Sequence, residues 1–184
     1  MKNTIYRAVL TAFILSTILY SCKKGDTGPA GPPNNANVVS KTFPASGIIW
    51  TAETQFGIKY QIAQLAMPEI DANIINNGAV LVYGALRTGQ PWTALPLSYV
   101  ISPSSGYLLY GIQAGAVVLR LSRSDNIDPG AADIAFRVVV IKSAPGERLG
   151  MNTINKQQFN GYSVEELQHK SYAEISRIFN ITAH

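Results

Sequence analysis

The sequence predicts a mainly β protein: a single β-sandwich-like domain with a short helix near residues 69–76 and a C-terminal helix near 163–179. Three observations carry that expectation. From Val38 onward the chain falls into short β-branched and aromatic runs separated by Gly, Pro and Asn. Charged residues make up 14% of the chain, against a usual ~25%, and hydrophobic residues 47%, which excludes extended disorder. Residues 38–184 are what remains for folding, enough for one sizeable core and too few for two.

Val38–Phe43 and Gly47–Trp50 read as strands on either side of Pro44. Gly57–Gln64 alternates, with Ile58, Tyr60 and Ile62 on one face and Lys59 and Gln61 on the other. Ala79–Arg87 is apolar on both faces, as a central strand should be. Leu95–Ile101 places Leu95, Leu97, Tyr99 and Ile101 on one face, and Pro96, which has no ladder donor, predicts an edge strand. Gly106–Ile112, Ala116–Arg123 and Ile134–Lys142 complete eight expected strands.

Two segments read as helical. Pro68 to Gly78 has proline in its first turn, Glu69 and Asp71 near the positive end, and Ile70 and Ile74 four residues apart. Near the C-terminus, Ser163 and Glu166 make a capping box, and Tyr162 and Leu167 have hydrophobic-staple spacing. Val164, Leu167, Ser171, Ile175 and Ile178 then form one stripe, with Tyr172 and Phe179 beside it, by which the helix should dock. Ser143–Gly161, polar and glycine-bearing, reads as a long connection with weak structure.

The N-terminus carries an address. Lys2 and Arg7 form a positive segment, and Ala8–Tyr20 is an uncharged, largely apolar run, shorter than the ~20 residues of a spanning helix. It ends in Leu19-Tyr20-Ser21-Cys22, which resembles the bacterial lipoprotein signal. Tyr20 stands where that pattern usually has a smaller or β-branched residue. The resemblance implies cleavage before Cys22 and acylation of that cysteine. Several acyl chains together give stable anchoring, which one does not. Cys22 is the only cysteine of the chain, so an intramolecular disulfide and a cysteine-ligated metal site are excluded.

Next comes a tether. Gly25-Asp26-Thr27-Gly28-Pro29-Ala30-Gly31-Pro32-Pro33 is a run of Gly-X-Y triplets, as in collagen. So short a run forms few interchain bonds against the entropy of aligning three chains, so it reads as an extended spacer and not as a trimerising stub. The chain thus divides into a signal at 1–21, a lipidated Cys and tether at 22–37, a β-sandwich at 38–143, and a connection with a docked helix at 144–184.

The formal charge of +4 is misleading. Lys2, Arg7, Lys23 and Lys24 supply four of the 15 basic residues and Asp26 one of the 11 acidic ones, which leaves the body at 11 and 10, a net of +1. With no basic cluster to displace counterions from phosphates, nucleic acid is rejected as a partner.

The whole arrangement resembles a family of uncharacterised Bacteroidetes lipoproteins with a collagen-like stub before one β-rich domain. The resembling residues are Cys22 to Pro32, Asn35-Ala36-Asn37-Val38, Pro68-Glu69-Ile70, Asn77 to Gly84, Leu95-Pro96-Leu97, Phe136 to Ile141, and the Tyr172-Ala173-Glu174 to Phe179-Asn180-Ile181 helix. The resemblance covers nearly the whole mature chain and implies an address and an architecture; the family has no assigned activity to carry over.

Candidate chemistry is sparse. His169, on the C-terminal helix, and His184 are the two histidines, and no G-x-S-x-G elbow occurs. Glu69 and Asp71 could pair as carboxylates, but a helix's first turn explains them. Asp125, Asp128 and Asp133, with Asn126, offer oxygen ligands for calcium; Ile127 and Pro129 break EF-hand spacing, and Asp128-Pro129-Gly130 fits a turn better. Among Trp50, Trp92, Tyr83, Tyr99, Tyr107 and Tyr110, core packing accounts for most, and Trp92 and Tyr99 are the ligand-binding candidates. The expected protein is exported and lipid-anchored at the outer membrane, on its periplasmic or outward face. It is a structural or interaction module for an envelope protein or glycan, with a glycan- or small-ligand-binding module as the alternative. No catalytic residue and no cofactor are expected.

Overall fold

Period-two alternation places the apolar halves of two antiparallel sheets face to face. A computed structural model describes residues 37–86, 90–143 and 158–181. In chain order the strands are β1 (Val38–Phe43), β2 (Thr51–Gln55), β3 (Ile58–Ala66), β4 (Ala79–Ala85), β5 (Thr93–Ala94), β6 (Leu97–Ile101), β7 (Ser104–Gln113), β8 (Ala116–Arg123), β9 (Ala135–Ile141), β10 (Gln158–Phe159) and β11 (Tyr162–Ser163). The helices are α1 (Ala72–Asn77), α2 (Val164–Gln168) and α3 (Tyr172–Ile178). One sheet has the order β1-β9-β4-β5, the other β2-β3-β8-β7-β6, and β10 and β11 pair as a separate ribbon. The chain is mainly β, as its sequence predicts. The signal, Cys22, the tether to residue 36, residues 144–157 of the expected connection and His184 lie outside the described residues.

The main core fills the space between the sheets. Val80, Val82, Phe136, Val138 and Val140 from one sheet meet Ala63, Leu65, Leu108, Val117, Leu119 and Leu121 from the other. Each fully buried Val, Leu or Phe side chain among them contributes about 1.5–3 kcal/mol. β6 is an edge strand, as Pro96 predicts. The chain changes sheets just before it: Leu95 N donates to Val82 O of the first sheet at 2.8 Å, and β6 pairs with β7 in the second.

All seven residues of β4 are buried because its sheet is covered twice. On the far side Ala79, Leu81, Tyr83, Val139 and Ile141 form a second core with Phe159, Leu167, Ile175 and Phe179. The C-terminal segment therefore docks by its apolar stripe, but it is not one helix. α2 begins with the expected Ser163–Glu166 capping box and ends at His169; Ser171 and Glu174 make a second capping box that starts α3. The S-x-x-E signature recurs there, and Ser171 caps a new helix where continuity had been expected. Ahead of α2, Asn160 (φ 50°) and Gly161 (φ 83°) turn the β10–β11 hairpin. Asn-Gly is the preferred pair for a turn with two positive φ angles, so the end of the expected weak connection is ordered.

Two further boundaries move. Gly47–Trp50 is not a strand: Ala45–Gly47 is a single 3₁₀ turn, and pairing begins at Thr51. β2 (Thr-Ala-Glu-Thr-Gln) is a mostly exposed edge strand and so shows no apolar alternation. α1 starts at Ala72, three residues after the expected 69, because Asp71 is the N-cap, its Oδ1 accepting from Ile74 N at 2.8 Å.

Candidate functional site

The outer face of the β1-β9-β4-β5 sheet is laid out in rows by its register. Ile141 lies beside Val38 and Ala79, Val139 beside Ser40 and Leu81, and Arg137 beside Thr42 and Tyr83. The first two rows belong to the second core. The third places a charge in an otherwise apolar strand, where an ion needs partners. Arg137 finds them in its row and above it. Its Nε donates to Thr42 Oγ1 at 2.8 Å, and its guanidinium carbon lies 4.6 Å from the Trp92 ring centroid and 4.3 Å from that of Tyr172. The two rings stand edge to face, centroids 6.4 Å apart, and Tyr172 makes a similar contact with Tyr83 at 5.6 Å.

Buried Tyr83 donates its hydroxyl to Lys170 O at 3.3 Å. Burial pushes its pKa well above the ordinary tyrosine value, and the neighbouring Tyr110, Tyr172 and Glu174 push the same way. At Tyr172 burial also acts to raise the pKa, but the nearby Ser176 and Ser40 hydroxyls and the Arg137 charge outweigh it, so the net direction is downward.

In the next outward row Ala135 pairs with Ala85. These side chains are too small to fill the space beyond Trp92, and a cleft of about 450 Å³ opens there, lined by Thr42, Pro44, Ala45, Ala85, Gln90, Trp92, Asp133 and Ala135. Trp92 supplies an aromatic wall, and the remaining apolar lining, Pro44, Ala45, Ala85 and Ala135, consists of small side chains. Thr42, Gln90 and Asp133 bring a hydroxyl, an amide and a carboxylate. Such a lining suits a small ligand held by a few directional hydrogen bonds over an apolar base.

The structure separates the two ligand-binding candidates. Trp92 lines the cleft, whereas Tyr99 is on the other sheet and packs into the main core opposite Gly106, its ring filling the place where a Gly106 Cβ would be. Tyr99 is therefore a packing residue. Trp50 also packs on the core, 6.2 Å from Phe136, and donates its indole N–H to Ala132 O at 3.0 Å. Tyr110 packs there too and donates to Val80 O at 3.2 Å. Tyr107 is exposed on the outer face of the second sheet.

The calcium candidates part company as well. Asp125 receives Arg123 Nε at 3.0 Å and Nη2 at 2.7 Å, together with the Ser104 hydroxyl. Asp128 accepts from Gln61 Nε2 at 3.0 Å and Gly130 N at 2.9 Å, and Asp133 faces the cleft. Among the described residues no three His, Cys, Asp or Glu side chains converge as metal ligands would. Asp71 caps α1, Glu69 lies in the turn before it, and His169 is exposed where α2 ends.

Sequence reasoning missed Thr42, Gln90, Arg137 and Tyr172 as members of one site. Only Arg137 left a trace, as a lone cation in an apolar run. No family model matches the chain, and no curated protein or solved structure matches it.

Proposed function

We propose that this protein is an exported, lipid-anchored module of the bacterial cell envelope, held at the outer membrane by acyl chains on Cys22 and acting by binding and not by catalysis. The observation that carries this reading is the chain's single cysteine, placed directly after Leu19-Tyr20-Ser21 at the end of a charge-flanked apolar run. The resemblance to Bacteroidetes lipoproteins supports the same address, and the Gly/Pro-rich residues 25–33 suit a stalk between membrane and domain. The test is the mass of the mature N-terminal peptide recovered from membranes. An acylated Cys22 peptide is expected, lost in Cys22→Ala with release of the protein from the membrane fraction. An unmodified peptide, or one that retains Met1, overturns the anchor.

A second reading, a glycan- or small-ligand-binding module, is favoured by one feature: the cleft beside Trp92, with its aromatic wall and polar groups from Thr42, Gln90 and Asp133.

A further inference from the structure

We propose that the cleft beside Trp92 binds a neutral saccharide, and that Tyr172 of α3 is a positioning residue for the tryptophan ring. The inference rests on the ligand-binding reading just given and is independent of the anchor.

Size and charge narrow the ligand. At about 450 Å³ the cleft falls within the ~300–1,000 Å³ usual for small-molecule sites. An anion would meet the Asp133 carboxylate. An organic cation would compete with the Arg137 guanidinium, which already lies 4.6 Å from the Trp92 centroid. A wholly apolar ligand would strip water from Asp133, Gln90 and Thr42 without replacing its hydrogen bonds. A neutral ring with hydroxyls on its rim and C–H groups on its face meets none of these penalties. Its hydroxyls can donate to Asp133 and pair with the Gln90 amide, and its apolar face can lie on Trp92 and the alanines.

Preorganisation supplies the second argument. A ring that is already immobile loses less entropy when a ligand stacks on it. Trp92 precedes a strand of only two residues, so little backbone pairing holds it. Its orientation is set by Arg137 and by Tyr172, 6.4 Å away on the docked C-terminal segment. The cleft also lies at the end of β1 remote from Val38, about 17 Å along the strand at ~3.3 Å per residue. Val38 and the proposed site are thus at opposite ends of one strand.

The experiment uses the full chain in detergent, ¹⁵N-labelled at its two tryptophans, whose indole N–H signals are assigned with Trp92→Phe. The probes are the methyl glycosides of glucose, galactose, mannose and N-acetylglucosamine at millimolar concentration, with tetramethylammonium and acetate as charged controls. At least one glycoside is expected to shift the Trp92 signal saturably and leave Trp50, whose N–H is held by Ala132, in place. Asp133→Asn should weaken that binding about tenfold. Tyr172→Ala should weaken it severalfold and Tyr172→Phe restore it. Shifts with a charged control and none with a glycoside, or silence of the Trp92 signal to all probes, overturns the saccharide assignment. Glycoside binding that Asp133→Asn leaves unchanged overturns the site. Wild-type affinity in Tyr172→Ala removes the positioning role. The peptide mass at Cys22 reports on the anchor separately, so the two proposals fail independently.

Discussion

Arg137 and Tyr172 meet 4.3 Å apart, guanidinium carbon to ring centroid, with the cation in the notch that Tyr172 forms with Trp92. This contact joins the sandwich to its C-terminal segment and makes one strand's lone charge compatible with a sheet covered on both sides. A planar guanidinium stacks on two rings and still donates through Nε to Thr42; an ammonium cannot do both. Arg137→Lys should therefore lower unfolding stability by about 1 kcal/mol despite keeping the charge. A double-mutant cycle with Tyr172→Ala should give a coupling of about 0.5–1.5 kcal/mol in urea unfolding. Additive single effects would mean that the stacking contributes nothing.

Two glycines are required for space and not for backbone freedom, and they should respond differently to alanine. A Cβ on Gly78 would lie 2.8 Å from Ile74 O and 2.9 Å from Ile141 O, both main-chain atoms locked in α1 and β9. A Cβ on Gly106 would lie 2.5 Å from the Tyr99 ring, which can swing away. Gly78→Ala should cost about 3 kcal/mol and Gly106→Ala about 1–2 kcal/mol. Adding Tyr99→Ser should make Gly106→Ala nearly neutral in that background; an unchanged penalty would show that the ring is not what the methyl meets.

The same pair shows what was legible in the sequence. Alternation at Val117, Leu119 and Leu121, and the two-faced run Ala79–Ala85, follow from burial on one side or both, so fold class and most strands could be read directly. β2 could not, because an exposed edge strand needs no apolar face. The break between α2 and α3 was written in Ser171 and Glu174, but the apolar stripe running across it masked the signal. Tyr99 and Trp92 look alike in sequence, and only the pairing of Tyr99 with Gly106 sends one to the core while the other lines a cleft. The site itself gathers residues 42, 90, 92, 133, 137 and 172, a set that register and docking create and spacing does not encode.

Asp125 should give the protein an acid-sensitive loop. Its hydrogen bonds to Arg123 and then to Ser104 hold its pKa well below the usual carboxylate range. A depressed folded pKa means that the stabilisation is complete above the unfolded value, about 3.9, and fades as pH falls below it. Asp125→Asn should melt below the wild type at pH 6, and the gap should narrow between pH 4 and pH 2. A gap that is constant over that window would assign the loss to packing and not to charge.

Tyr83 predicts the opposite limb. Burial raises its pKa, so the neutral hydroxyl is the form the fold accepts. With a folded pKa above the unfolded value of about 10, its contribution is intact below pH 10 and lost as pH rises beyond it. Tyr83→Phe removes the hydroxyl that donates to Lys170 O, which should cost about 1 kcal/mol at pH 8. It also removes the group that must stay protonated. Urea midpoints of wild type and variant should therefore converge between pH 9 and 11, with Tyr110, also raised by burial, leaving a residual decline in both. Curves that run parallel through pH 11 would mean that Tyr83 ionises no less readily in the folded chain than in the unfolded one.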